Sequence, residues 1–173
     1  MLLADFHDAD EAARWSSTDD VVMGGQSSSA MLAGDGVGVF AGELSLESGG
    51  GFASVRRRQQ VVDLSACDAL ELHVRGDGKR YKLNLRASVS FDGVVYQAAF
   101  ATQPGTWLTV KLPLSAFEPR FRGRLVAGTL DRARVASLGL LISDRQAGAF
   151  RLELSSIAAT SHPNLTIARQ SAP

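Results

Sequence analysis

The stretch that decides the fold is Leu70-Glu71-Leu72-His73-Val74-Arg75-Gly76-Asp77-Gly78-Lys79-Arg80-Tyr81-Lys82-Leu83-Asn84-Leu85-Arg86. Leu70, Leu72 and Val74 alternate with Glu71, His73 and Arg75. After a glycine-flanked break, Tyr81, Leu83, Leu85 and Ala87 alternate with Lys82, Asn84 and Arg86. Successive side chains of an extended chain point to opposite faces, so this pattern specifies two strands, each with one dry and one wet side. Antiparallel sheets packed on one face carry this signature.

The same period recurs outward from there. Phe40, Leu44 and Leu46 alternate with Ala41, Glu43 and Ser45, and Phe150, Leu152 and Leu154 with Arg151, Glu153 and Ser155. Further strands are expected over 106–112 and 135–142. Asp-Gly between alternating runs signals a hairpin. Gly76-Asp77-Gly78 is therefore expected to turn one strand back on the next. Asp92-Gly93 is expected to do so between Val89-Ser90-Phe91 and Val94-Val95-Tyr96. Helix is scarce: one turn through Glu11-Ala12-Ala13-Arg14, capped by Asp8 or Asp10 with Trp15 packing back, and another at Ser115-Ala116-Phe117. Many short strands with turn signals imply an all-β sandwich or barrel.

At 173 residues, with 45% hydrophobic and 21% charged residues, the chain reads as one domain over 1–160 followed by a C-terminal tail, 161–173. Its 18 basic and 18 acidic residues cancel. That balance argues against a nucleic-acid partner, whose phosphates call for a basic excess. A single Cys67 excludes an intrachain disulfide framework and a multi-cysteine zinc site, and fits a reducing compartment. Met1-Leu2-Leu3-Ala4-Asp5 has no basic leader region, and no run approaches the ~20 apolar residues of a membrane helix. The expectation is a cytoplasmic protein without membrane insertion.

Motifs for catalysis are weak. Gly36-Val37-Gly38-Val39-Phe40-Ala41 matches a dinucleotide fingerprint by letter, but a strand follows where the fingerprint needs a helix, so it reads as a turn. His7, His73 and His162 lack metal-ligand spacing, and the aspartates near the N-terminus read as caps and turns. No nucleophile elbow is present. No catalytic residue, metal or cofactor is assigned.

Two glycine clusters remain, Asp20-Val21-Val22-Met23-Gly24-Gly25-Gln26-Ser27 and Gly49-Gly50-Gly51-Phe52-Ala53-Ser54-Val55-Arg56. Glycine loses the most backbone entropy on folding, so left-handed residues are expected among Gly24, Gly25, Gly50 and Gly51. Arg56 is expected to meet a carboxylate such as Asp20, locking two loops together. Phe117-Glu118-Pro119-Arg120-Phe121-Arg122-Gly123-Arg124 interleaves aromatics with guanidiniums.

These residues resemble the complex I intermediate-associated protein 30 family. Trp15 with Asp20-Val21-Val22-Met23-Gly24-Gly25-Gln26-Ser27 is similar to its opening signature, with Val21 where the family commonly has glycine. Phe40-Ala41-Gly42-Glu43-Leu44, the second glycine cluster through Arg56, Val74–Tyr81, Trp107, Phe117–Gly123 and Leu138–Phe150 follow in order. The resemblance implies a galactose-binding-like β-sandwich of jelly-roll type. It also implies a non-catalytic, chaperone-like binding or scaffold module in NADH:ubiquinone oxidoreductase (respiratory complex I) assembly, with a protein partner. A carbohydrate-binding module is the alternative, and an enzyme acting on a sugar or ester the next. Binding is assigned to Asp20, Met23, Arg56, Arg75, Asp77, Trp107, Arg122 and Asp144, on loops at one end of the sandwich or on a concave sheet face. Core packing competes for Met23 and Trp107, and a structural ion pair for Arg56 and Arg122.

Overall fold

The alternation resolves into two antiparallel sheets facing each other, in a computed structural model that describes residues 1–19, 25–88 and 93–161. In chain order the strands are β1 (Leu2–Asp5), β2 (Trp15–Ser17), β3 (Ser28–Gly34), β4 (Val37–Leu44), β5 (Ala53–Val62), β6 (Ala69–Arg75) and β7 (Arg80–Arg86). They continue as β8 (Val95–Ala101), β9 (Trp107–Pro113), β10 (Glu118–Phe121), β11 (Arg124–Leu125), β12 (Val135–Ile142) and β13 (Gly148–Thr160). One sheet runs β3-β4-β13-β6-β9. Its long β13 also pairs with β1, which continues the line of β4. The other runs β11-β10-β8-β7-β12-β5-β2. No described helix is long and apolar enough to cross a membrane.

The dry half of each strand forms the core between the sheets. Phe40, Leu70, Leu72, Val74, Tyr81, Leu83, Leu85, Leu152 and Leu154 are all fully buried, as the period-two reading requires. Removing one such side chain from water contributes roughly 1.5–3 kcal/mol, which is why the register holds: a slip of one residue would expose the whole set. Phe40 packs on Phe150 with centroids 5.1 Å apart, and Tyr81 stacks against Phe100 at 6.2 Å.

The Gly76-Asp77-Gly78 turn is not a hairpin. β6 pairs with β13 and β9, and β7 with β12 and β8, so this segment crosses from one sheet to the other. Tertiary contacts override the local signal. The Asp77 carboxylate accepts from the buried Tyr81 hydroxyl at 3.1 Å, from the Lys79 amide at 3.0 Å and from the Arg151 amide at 2.9 Å. Gly76 is pressed on Thr102, whose Cβ would lie 2.3 Å from any added Cβ, and Gly78 takes φ +91. Burial, then the adjacent Asp77 charge, raises the Tyr81 hydroxyl pKa far above its ordinary value, so it stays a donor.

The second expected turn joins β7 to β8, which do pair; Val89, Ser90, Phe91 and Asp92 lie outside the described residues. The Gly36 segment is a β3–β4 turn, with Asp35 and Gly36 both at positive φ, as the turn reading expects. At the second glycine cluster the left-handed expectation is corrected. Gly50 has φ −72 and Gly51 is not left-handed; the left-handed residue there is Ser48, at φ 55. Asp20, Met23 and Gly24 lie outside the described residues.

The N-terminal turn is three residues of 3-10 helix, Ala12–Arg14, with no side-chain cap. Asp8 instead accepts from the Asp10 amide and pairs with Arg14 at 2.9 Å. Trp15 does pack back, stacking on Phe6 and donating its indole N–H to Glu11. Glu11, only 1% exposed, also takes Arg57 at 2.5 and 3.1 Å and Arg14 at 2.8 Å. Burial pushes its carboxyl pKa up, but the donors from Arg57, Trp15 and Arg14 outweigh that and hold it below the ordinary glutamate value. This cluster fastens the N-terminal turn to the β5 edge of the seven-stranded sheet, where only the short β2 follows.

Candidate functional site

The wet half of the seven-stranded sheet forms an open groove of about 660 Å³. Its floor follows from register. Arg56 on β5 lies opposite Gly139 on β12, Gly139 opposite Asn84 on β7, Asn84 opposite Gln97 on β8, and Gln97 opposite Glu118 on β10. Beside this row run Lys82 opposite Leu141, Arg86 opposite Ser137, and Val95 opposite Arg120. Gly139 interrupts the side chains at the middle of the floor. A Cβ there would stand 2.9 Å from the Val55 carbonyl oxygen and 3.6 Å from Asn84 Cβ.

The described lining of the groove is rich in cations. It includes Arg56, Lys82, Arg86, Arg120 and Arg122, with the carboxylates of Glu118 and Asp144 at its edges, although the chain as a whole is neutral. Arg56 donates to Ser137 Oγ at 3.3 Å, and its partial burial holds its pKa below the ordinary arginine value. Lys82 reaches Ser143 at 3.1 Å and Asp144 at 3.0 Å, the latter half exposed at the rim. Arg120 donates weakly to the Gly123 carbonyl and lies 3.7 Å from Glu118. At the centre, Asn84 Oδ1 is buried and is the one buried side-chain N or O atom among the described residues with no hydrogen-bond partner. Phe52 is the aromatic residue in the described lining.

The structure divides the residues that the sequence singled out. Arg56 and Arg122 line the groove, and Asp144 stands at its rim through Lys82. Arg122 sits at the tip of the β10–β11 hairpin, at φ 49, its guanidinium 5.2 Å from the Phe121 ring centroid. Arg75 and Trp107 lie on the outer face of the other sheet, paired in register. There Trp107 stacks on His73 at 4.8 Å and carries the Arg75 guanidinium at 5.1 Å, while Arg75 is hydrogen-bonded to Glu153. Asp77 is consumed by the crossover loop. Cys67 is buried. Among the described residues no three His, Cys, Asp or Glu side chains gather as metal ligands would.

Lys82, Asn84, Arg86, Gln97 and Ser137 escaped the sequence reading. Each sits at a polar position of an alternating strand, where function and simple hydration leave the same mark. Only the strand order and the glycine gap at 139 bring them to one surface.

Solved structures of similar shape include carbohydrate-binding modules and agarases. A family 11 carbohydrate-binding module of a Clostridium thermocellum cellulosomal cellulase superposes with a TM-score of 0.69 at 16% identity, covering 93% of this chain and 94% of that one. At that identity the likeness establishes the β-sandwich fold alone. Among curated proteins, the mitochondrial complex I intermediate-associated protein 30 of Mus musculus is 29% identical over 181 residues, covering 91% of this chain and 55% of that protein. The Drosophila melanogaster counterpart is 27% identical, covering 88% and 60%. The chain thus spans little more than half the length of these relatives, and their mitochondrial names lend no support to the cytoplasmic expectation. The profile of the family described as Complex I intermediate-associated protein 30 matches residues 4–154, and the chain belongs to that family.

Proposed function

We propose that this chain is a non-catalytic binding module that takes part in assembling a respiratory NADH:ubiquinone oxidoreductase by holding a protein partner in the groove of the seven-stranded sheet. Membership of the assembly-factor family over residues 4–154 is the observation that carries the reading. The groove supports it chemically. Arginine, lysine, amide and small side chains hold a charged chain well, and none of them is a group that titrates near neutrality to move protons. Of the sequence-assigned residues, Arg56 and Arg122 belong to this surface and Asp144 to its rim. Arg75, Asp77 and Trp107 serve the architecture.

A carbohydrate ligand is the second reading, favoured by the shape of the sandwich. It is weakened by the lining, where Phe52 alone among the described residues offers an aromatic platform, and by the engagement of Trp107 elsewhere. Affinity purification of the tagged chain from its native host tests the proposal. Co-purification of complex I subunits or intermediates is the expected result. Their absence under crosslinking would overturn it.

A further inference from the structure

We infer that the occupant of the groove is an extended acidic peptide segment, bound with carboxylates on the flanking arginines and a backbone N–H on Asn84. This deepens the protein-partner reading and rests on it. Three independent features converge. First, the cationic positions bracket the groove. Arg56 on β5 and Arg120 on β10 are four strand steps apart across β12, β7 and β8. At the usual strand spacing that is roughly 19 Å, the reach of about six extended residues. Lys82 and Arg86 flank Asn84 on its own strand, each two residues away, so charge surrounds the centre in both directions.

Second, the centre is an unfilled acceptor. Asn84 lies on the middle strand of the five, and its buried Oδ1 has no partner among the described residues. An amide oxygen left buried without a donor carries an unrecovered desolvation cost, so a ligand N–H placed there recovers that cost on binding. Gly139, next to it in the row, puts no side chain between Asn84 and Arg56. Gln97, on the other side, presents a second amide at strand spacing, suited to a peptide's alternating N–H and C=O groups.

Third, the cations are mostly arginine. The planar guanidinium fork matches a carboxylate in a bidentate way that lysine does not, which favours acidic side chains over diffuse charge. The groove cations are all engaged already, and of their contacts those of Lys82 with Asp144 and of Arg120 with Glu118 lie at exposed acidic groups, where exchange for a ligand carboxylate is cheap. A sugar acid would satisfy the same guanidiniums. It would want an aromatic surface under its ring, and the described floor offers glycine, serine and amides instead.

The probe is a fluorescein-labelled eight-residue peptide with glutamates near both ends and valine, serine and threonine between, titrated into the full chain and read by anisotropy at 50 mM salt. Micromolar binding is expected, at least tenfold tighter than for the all-glutamine version and weakening steeply with salt. Arg86→Gln with Arg120→Gln should weaken it at least tenfold. Asn84→Ala should weaken it about threefold to tenfold without changing the salt dependence, a signature that loss of charge alone does not give. Circular dichroism melts confirm that the variants are folded, and Arg58→Gln, on the same sheet face but outside the groove lining, controls for general charge. The inference fails if an oligogalacturonate of equal charge binds as tightly as the peptide, if the all-glutamine peptide binds equally well, or if Asn84→Ala has no effect. The two proposals separate in the host pulldown. Complex I subunits recovered equally by the wild type and the arginine double variant would leave the assembly reading standing and sink this one. Peptide binding without any recovered subunit would do the reverse.

Discussion

The two outer faces of the sandwich are built from the same alternation of apolar and polar residues, yet they end in opposite chemical states. On the six-stranded sheet the polar side chains around Trp107 and Glu153 satisfy one another. Trp107 holds His73 and Arg75, Arg75 and Arg151 both reach Glu153, and His73 meets Ser155 Oγ at 2.6 Å. On the seven-stranded sheet, five cations surround a floor of small and amide side chains, and the central amide oxygen is left without a partner among the described residues. A closed network resembles a finished surface; a cation-rich groove with an orphan acceptor among the described residues resembles a surface awaiting something. The difference comes from which charges fall in register. Glu153 faces Arg75 across β13 and β6, whereas the row through Arg56 meets a glycine and two amides before the first carboxylate, Glu118.

The largest effect is expected where the groove-bearing sheet is anchored. Glu11→Ala removes the acceptor shared by Arg57, Arg14 and Trp15 and leaves the Arg57 charge poorly exposed to water, at a cost of about 3 kcal/mol. Urea denaturation measures it, and a loss below about 1 kcal/mol would show that the N-terminal turn does not hold this edge. The same carboxylate sets an acid limb. Its pKa is lowered in the folded state, so its contribution is full above the unfolded glutamate pKa and fades as pH falls through the folded value. Stability should therefore decline from about pH 5 downward, and Glu11→Gln should flatten that decline.

Next in size is Gly139→Val. A Cβ 2.9 Å from the Val55 carbonyl forces the backbone apart, and overpacking of this kind costs typically 1–3 kcal/mol. It should also fill the groove and abolish acidic-peptide binding. Gly34→Ala meets nothing within 4 Å and should leave binding unchanged, with little effect on the melting temperature. If Gly139→Val binds the peptide normally, the gap at 139 is not an entrance. The smallest effect belongs to the closed face. Glu153→Gln breaks ion pairs whose arginine partners are well exposed, so its loss should stay within about 1 kcal/mol, with peptide affinity unchanged within twofold. A larger binding defect there would break the contrast between the faces.

Much of this was legible in the residues themselves. Each of the four alternating runs became a strand, because burying one face in register dominates local energetics, but β4 stops at Leu44 and β7 at Arg86, so Leu46 and Ala87 fall outside the buried set. Trp15 packed back on its turn as read, and the family blocks were recognisable without coordinates. The Gly-Asp-Gly signal failed as a hairpin because its deciding partners, Thr102 and the Arg151 amide, lie far along the chain. Left-handed backbone fell on Ser48 rather than on Gly50 or Gly51 for a similar reason: glycine permits that conformation but does not demand it.

The sequence by itself determined that this is a two-faced β protein of neutral charge, belonging to a recognisable family, because periodicity and motif order are properties of neighbouring residues. Only the tertiary structure decided which polar positions share a surface. Strand order placed Arg56, Asn84 and Gln97 in one row, although they are scattered over forty-odd positions of the chain, and set Arg75 and Trp107 on the opposite side of the molecule. A wet position on a strand looks the same in sequence whether it meets solvent, a salt-bridge partner or a ligand. Its meaning comes from the neighbours across the sheet.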